Sequence, residues 1–308
     1  MSTKADRNVI KKIVNLLVMP KEKFRPQKHF DKLGRITKVP TPSGEHIAIK
    51  LTNAKEPLPG NPVLLFAHGD GETIEDYYTY QSYFIKHGVS FCIMDHRGVG
   101  YGEGQYQTSG IRETEDCLTV IEYLKKNGFE KISFFGRSLG GICGIYLASR
   151  YPDLVCLALD SPVIDLTEYV IYFMGKAHHV SSEKVKKLFP LACEQIKEKT
   201  GIDFLSIEQP SEAAKKITQP IFVIHGKSDI HVPISNSEKL MELVQSEDKT
   251  FEPFNGTHNS FRYQPYIDLF LFILQHNGEQ ITEFADGDAD DDEIIPSDDD
   301  EDGEENLA

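Results

Sequence analysis

Short apolar runs alternate along this chain with longer stretches in which apolar residues recur every three or four positions. The runs are Val63–Ala67, Ser90–Met94, Lys131–Phe135, Leu154–Leu159, Ile221–Ile224 and Thr250–Phe254. They are short, rich in Val, Ile, Leu and Phe, and predict strands buried on both faces. Between them the helical period predicts helices near Tyr77–His87, over Ile111–Asn127, over Leu139–Arg150, near Asn236–Gln245 and over Phe261–His276. Strands alternating with such helices imply an α/β fold, a mostly parallel central sheet with helices on both faces. Upstream, Ile36–Thr52 alternates around Pro40-Thr41-Pro42-Ser43-Gly44 and predicts a hairpin, and the apolar patch Ile13–Met19 predicts a short leading helix. One interval breaks the rhythm. Residues 161–219 carry only helical patterns (Leu166, Tyr169, Val170 and Phe173, then Val185, Leu188, Phe189 and Ala192) and predict a helical cap inserted between two strands. The expected organisation is a lead segment at 1–35, one domain at 36–280 with the cap inside it, and a tail at 281–308.

Composition fits this picture. A chain of 308 residues, 40% of them hydrophobic, can build one large core. No stretch reaches the roughly 20 apolar residues that span a bilayer; Leu269–Leu274 is far too short. The start, Met1-Ser2-Thr3-Lys4, has neither an apolar signal core nor the second-position glycine of a myristoylation signal. Cytoplasmic location without stable membrane insertion is expected. The five cysteines are odd in number and include no C-x-x-C pair. They predict small buried hydrophobes in a reducing compartment, with no metal site.

Charge changes the view of one end only. Fourteen of the 48 Asp and Glu lie in residues 281–308, which hold no Lys or Arg, so without that stretch the net charge goes from −15 to −1. The body is nearly neutral, and nothing suggests a nucleic-acid surface. The stretch from Ala285 onward is expected to be disordered, most simply a solubilising tail. Two features give it a sharper reading. Ser297, followed by Asp298-Asp299-Asp300-Glu301, suits phosphorylation by an acidophilic kinase, and Ile294-Ile295-Pro296 offers a docking segment for a protein partner.

The candidate chemistry begins where one strand ends. Lys131–Phe135 runs into Gly136-Arg137-Ser138-Leu139-Gly140, and a helix pattern follows. This is the layout of a nucleophile elbow, in which flanking glycines let strand and helix approach and a serine hydroxyl is pushed out at a helix N-terminus. G-x-S-x-G alone arises by chance in about one chain in ten of this length, so its partners must be found in order: serine, acid, histidine. Asp229, after the strand and glycine turn of Ile221–Gly226, is the expected acid; Asp160, which also ends a strand, is its rival. His258 is the only histidine between the last strand and the last helix, and is the expected base. The oxyanion donors should be backbone N–H groups, one from Leu139 and one from Asp70 in the loop His68-Gly69-Asp70-Gly71. His68 is expected to fix that loop. The acidic cluster Asp70–Asp76 could meet a substrate ammonium, but more simply starts the next helix. The aromatic residues of the cap (Tyr169, Tyr172, Phe173, Phe189) could roof an acyl chain, but more simply pack the cap onto the sheet.

Taken together, Phe66-Ala-His68-Gly69, Met94-Asp95-His96-Arg97-Gly98-Val-Gly100, Gly136–Gly141, Leu159-Asp160-Ser161-Pro162, His225-Gly226-Lys-Ser-Asp229 and Gly256-Thr-His258-Asn-Ser260 resemble an α/β-hydrolase of the serine aminopeptidase type. Cytosolic protist and plant serine hydrolases without assigned substrates are similar in the same signatures. The depalmitoylases of the superfamily are less so, and this chain has no cysteine before Cys92 to match their N-terminal cluster. The resemblance implies the α/β-hydrolase fold, the triad Ser138–Asp229–His258 and hydrolysis without a cofactor. A serine at the elbow favours cleavage of an ester or thioester, with small peptides or amides as the alternative. A third class is a non-catalytic scaffold that uses the fold and the acidic tail.

Overall fold

The structure is a computed structural model and describes residues 3–20 and 33–284. Ser297 and the rest of the acidic tail beyond residue 284 lie outside the described residues, as does part of the lead segment. The strands are β1 (Met19–Pro20), β2 (Thr37–Pro40), β3 (His46–Thr52), β4 (Val63–Ala67), β5 (Ser90–Asp95), β6 (Tyr106–Gln107), β7 (Ile132–Arg137), β8 (Leu154–Asp160), β9 (Ile221–Gly226) and β10 (Lys249–Phe254). The helices are α1 (Lys4–Leu17), α2 (Ile74–Tyr77), α3 (Gln81–Ile85), α4 (Ile111–Lys126), α5 (Leu139–Arg150), α6 (Leu166–His178), α7 (Ser182–Thr200), α8 (Pro210–Ala214), α9 (Ser235–Leu243) and α10 (Tyr263–His276).

Eight strands form one open sheet in the order β10-β9-β8-β7-β4-β5-β3-β2. The strands from β10 to β5 are parallel, and the predicted hairpin β2–β3 joins antiparallel at the β5 edge. From β4 the chain moves to β5 on one side and returns to β7 on the other. The carboxyl ends of β4 and β7 therefore flank the switch point, where open α/β sheets bind ligands. Strand period 2 sorts the core into two layers. Val63, Leu65 and Ala67 of β4 face the layer with α1, α4, α5 and the inserted helices. Leu64 and Phe66 face the other, where Phe66, Phe84, Phe91, Phe135 and Phe270 pack beneath α10.

Two elements differ from the sequence expectation. The leading helix begins nine residues before Ile13, because Thr3 and Asp6 form a capping box: the Asp6 amide donates to Thr3 Oγ1 and the Thr3 amide to Asp6 Oδ2, each at 3.1 Å. Val9, Ile10, Ile13, Val14 and Leu17 bury its apolar face, and it packs on α7. The helix expected at Tyr77–His87 is split into α2, a 3₁₀ turn at Tyr78–Tyr80, and α3. A second capping box, Thr73 with Asp76, starts α2 early. Asp76 of the acidic cluster thus supplies a helix cap. Residues 161–219 contain α6, α7 and α8 and no strand.

Candidate active site

Ser138 joins β7 to α5 with φ 51° and ψ −110°, a conformation that costs a residue with a side chain about 1–3 kcal/mol. Its amide donates to the Asp160 carbonyl at 2.7 Å, and its carbonyl accepts from the Gly141 amide at 2.9 Å. The turn closes because its flanks lack side chains. A Cβ on Gly136 would lie 2.1 Å from the Gly140 carbonyl oxygen, and one on Gly140 would lie 2.0 Å from the Ala67 carbonyl oxygen at the end of β4. Both obstacles are backbone and cannot swing away. Gly140→Ala should therefore destabilise the protein by about 3 kcal/mol, near the top of the range for overpacking. A thermal melt checks this, and an unchanged midpoint would remove the close-approach argument.

The structure brings the three predicted residues together. Asp229 follows β9. Its Oδ1 accepts the amides of His231 (2.9 Å) and Val232 (2.8 Å). Its Oδ2 accepts from His258 Nδ1–H at 2.6 Å, with His225 Nε2 3.3 Å away. Burial alone would raise the Asp229 pKa. The hydrogen bonds from His225, His258 and the Val232 amide outweigh it and hold the carboxyl well below the usual range. His258 sits in the loop after β10, and its Nε2 lies 3.2 Å from Ser138 Oγ. Burial pushes the imidazole below its ordinary value of 6.5, against the opposing pull of Asp229.

The rival acid Asp160 is engaged elsewhere. Its Oδ2 accepts from Tyr266 O–H at 2.8 Å and faces Arg262 Nε at 3.2 Å and Arg137 Nε at 3.6 Å, while Oδ1 accepts from Ser161 O–H at 2.9 Å. Both arginines also donate to the His258 carbonyl, Arg137 at 2.9 Å and Arg262 at 3.0 Å. Asp160 thus reaches the backbone of His258 through two guanidinium groups, while the ring nitrogens are paired with Asp229 and Ser138. The sequence showed Arg137 only as the variable residue of the elbow, and gave no sign of Arg262.

The loop after β4 is held by two carboxylates. Glu72 Oε2 accepts the Gly69 amide at 2.6 Å, and the same side chain pairs with Arg137 and accepts from Tyr77 O–H at 2.7 Å. His68 is buried, with Nε2 3.1 Å from Asp95 Oδ1 and Nδ1 2.9 Å from the Gly69 carbonyl. Asp95 also accepts the Ile74 and Tyr101 amides, each at 2.8 Å. One buried carboxylate so pins three loops, with His68 among its partners. Because Gly69 N–H is taken by Glu72, the next amide, that of Asp70, is the loop's candidate donor beside Leu139, the first residue of α5.

Ser138, Asp70 and His258 line a cavity of about 530 Å³, a volume suited to a small ligand. Tyr169 and Phe173 of α6 line it too, whereas Leu166, Val170 and Met174 of the same helix are buried in the core. The named aromatic residues thus divide: Tyr169 and Phe173 line the cavity, and Phe189 of α7 is buried in the core. The sequence reading gave the leading helix no part in the site, yet Lys12, Asn15 and Leu16 of α1 also line the cavity. The only available signal was that Lys12 and Asn15 stand three apart, on one helix face.

Among the described residues, the ligand atoms of buried His96, Cys117 and Cys143 lie within 4.8 Å of one another. None of the three lines the cavity. Burial raises the Cys143 thiol well above its ordinary value.

Residues 60–260 match the family model described as serine aminopeptidase, S33. Among curated proteins, the uncharacterized membrane protein YNL320W of Saccharomyces cerevisiae is 25% identical over 255 residues, covering 81% of each chain. Among the described residues here, no helix is long and apolar enough to cross a membrane. The lysophosphatidylserine lipase ABHD12 of Danio rerio is 25% identical over 202 residues, 60% of this chain and 47% of its own. Among solved structures, the Pyrococcus furiosus esterase Pf2001 superposes with a TM-score of 0.63 at 17% identity, covering 81% of this chain and 95% of that one. With an eight-stranded, mostly parallel open sheet and a family match across most of its length, this chain is a hydrolase of the α/β-hydrolase fold and belongs to the serine aminopeptidase S33 family.

Proposed function

We propose that the chain is a serine hydrolase cleaving a carboxylic ester or thioester through Ser138, His258 and Asp229. The observation that carries this reading is the continuous relay from Asp229 Oδ2 through His258 to Ser138 Oγ, with distances of 2.6 and 3.2 Å. Ser138 Oγ attacks the substrate carbonyl carbon as His258 Nε2 takes its proton. Asp229 keeps Nδ1–H as the donor and stabilises the imidazolium that forms. The Leu139 and Asp70 amides hold the oxyanion. His258 then protonates the departing alcohol or thiol, leaving an acyl-serine. Water, deprotonated by the same nitrogen, releases the acid and restores Ser138. The chain needs no cofactor for these steps. The test is labelling by a fluorophosphonate, with the adduct mapped by mass spectrometry to the peptide that carries Ser138. An adduct on another residue would sink the assignment.

A second reading is aminopeptidase or amidase activity. The family description favours it, and so does Asp70, an acid in the cavity. Short aryl esters compared with aminoacyl amides separate the two.

The pH dependence follows from His258, which acts only when neutral. Its pKa is pushed below 6.5, so protonation should remove activity only at pH values below that. kcat/KM should be flat near neutrality and fall on the acid side with a midpoint under 6.5. A midpoint above 7 would contradict burial as the dominant influence on the ring.

A further inference from the structure

The cavity above Ser138 has two electrically different ends. At one end is Asp70, near Tyr169, whose phenol is pushed up by burial first and then by the Asp70 and Asp229 carboxylates. At the other is Lys12 of α1, whose ammonium donates to His178 Nδ1 at 2.9 Å. Burial and the neighbouring Lys12 hold His178 below 6.5, so it meets Lys12 as a neutral acceptor. Among the described residues Lys12 pairs with His178 and with no carboxylate. Arg137, the other permanent cation lining the cavity, is matched by Glu72 and Asp160. An ammonium has three donors, and His178 uses one. The remaining two are available to an anion.

The wall between these ends is α6. Tyr169, Phe173 and Ala177 stand four residues apart on its cavity face, and His178 follows at its end. At about 1.5 Å per residue, Tyr169 to His178 spans about 13 Å along the helix. The lining on this face is apolar between two polar ends. Resting on the serine-hydrolase reading, we infer that the substrate is an ester whose far end, beyond an apolar segment of roughly that length, carries a carboxylate or phosphate bound by Lys12.

Three 4-nitrophenyl esters of matched chain length test this: dodecanoate, the half-ester of dodecanedioate, and the dodecanoate ending in a phosphonate. The wild-type chain should prefer at least one anionic ester to the neutral one by about tenfold in kcat/KM, a difference of about 1.4 kcal/mol. Which of the two is preferred separates a carboxylate from a phosphate. Lys12→Gln should bring the ratio to about one, and Lys12→Arg should keep most of it. Using the ratio guards against a variant that merely folds poorly. No anionic preference in the wild type, or a preference that survives Lys12→Gln, overturns the inference. If none of the esters is turned over, the serine-hydrolase reading fails separately. Calorimetry on the Ser138→Ala chain then decides, by whether the monomethyl ester of dodecanedioate binds more tightly than methyl dodecanoate.

Discussion

Ser138→Ala should abolish fluorophosphonate labelling and lower ester turnover by ~10⁴–10⁶-fold, while the chain stays folded. The magnitude is that of losing the nucleophile from a serine hydrolase whose oxyanion donors remain. The geometry makes this a clean subtraction. The Ser138 side chain has one hydrogen-bond partner among the described residues, His258 Nε2 at 3.2 Å. The elbow itself is held by backbone: the Ser138 amide on Asp160, and the Gly141 and Ile142 amides on the Ser138 carbonyl. Alanine has the same backbone cost at φ 51° as serine to within a few tenths of a kcal/mol, because both carry a Cβ. The melting temperature should therefore barely move. Labelling and turnover that persist in the variant would remove Ser138 from the mechanism and place the nucleophile on another residue. A large fall in melting temperature would instead mean that the hydroxyl holds the turn.

The fold and the core of the candidate site were legible for one reason: each rests on local signals in a fixed order. The strands β4, β5, β7, β8 and β9 are buried on both faces and so read as apolar runs. Ser138, Asp229 and His258 each follow a strand end, so a linear search finds them. What the sequence hid is what the fold brings together from far apart. Arg262 meets Asp160 across 102 positions of chain, and Lys12 meets His178 across 166. No spacing rule carries such pairs. The start of α1 was missed for another reason. The capping box Thr3–Asp6 precedes the apolar patch by two turns, in a stretch whose composition is polar. The split of the expected helix into α2 and α3 follows from competition between the cap at Thr73 and the packing of Tyr77 and Tyr80 against Phe66.

The two acids that the sequence could only rank should separate by what their loss damages. Asp229→Asn should lower kcat by about 10⁴-fold, because an amide in place of the carboxylate no longer fixes the tautomer of His258 that leaves Nε2 free to accept a proton. Asp160→Asn should act mainly on stability. Asp160 is fully buried and faces Arg262 and Arg137, and removing its charge leaves two buried guanidinium groups with Glu72 as the remaining carboxylate partner among the described residues. Breaking a buried ion pair from one side costs about 3–5 kcal/mol, which for a chain of this size lowers the melting temperature by about 5–8 °C. Turnover measured well below that temperature should fall less than about tenfold, because both arginines still reach the His258 carbonyl and only their anchor is weakened. The pH effect on stability has the same sign for both acids. The Asp160 and Asp229 carboxyls are both held below their ordinary value of 3.8. The stability each contributes is complete above that value and is lost as pH falls toward its folded-state pKa. Acid unfolding of Asp160→Asn should therefore show a shallower dependence on pH below 4 than that of the parent chain. If Asp160→Asn loses four orders of magnitude in kcat at an unchanged melting temperature, and Asp229→Asn keeps its activity, the assignment of the acid is reversed.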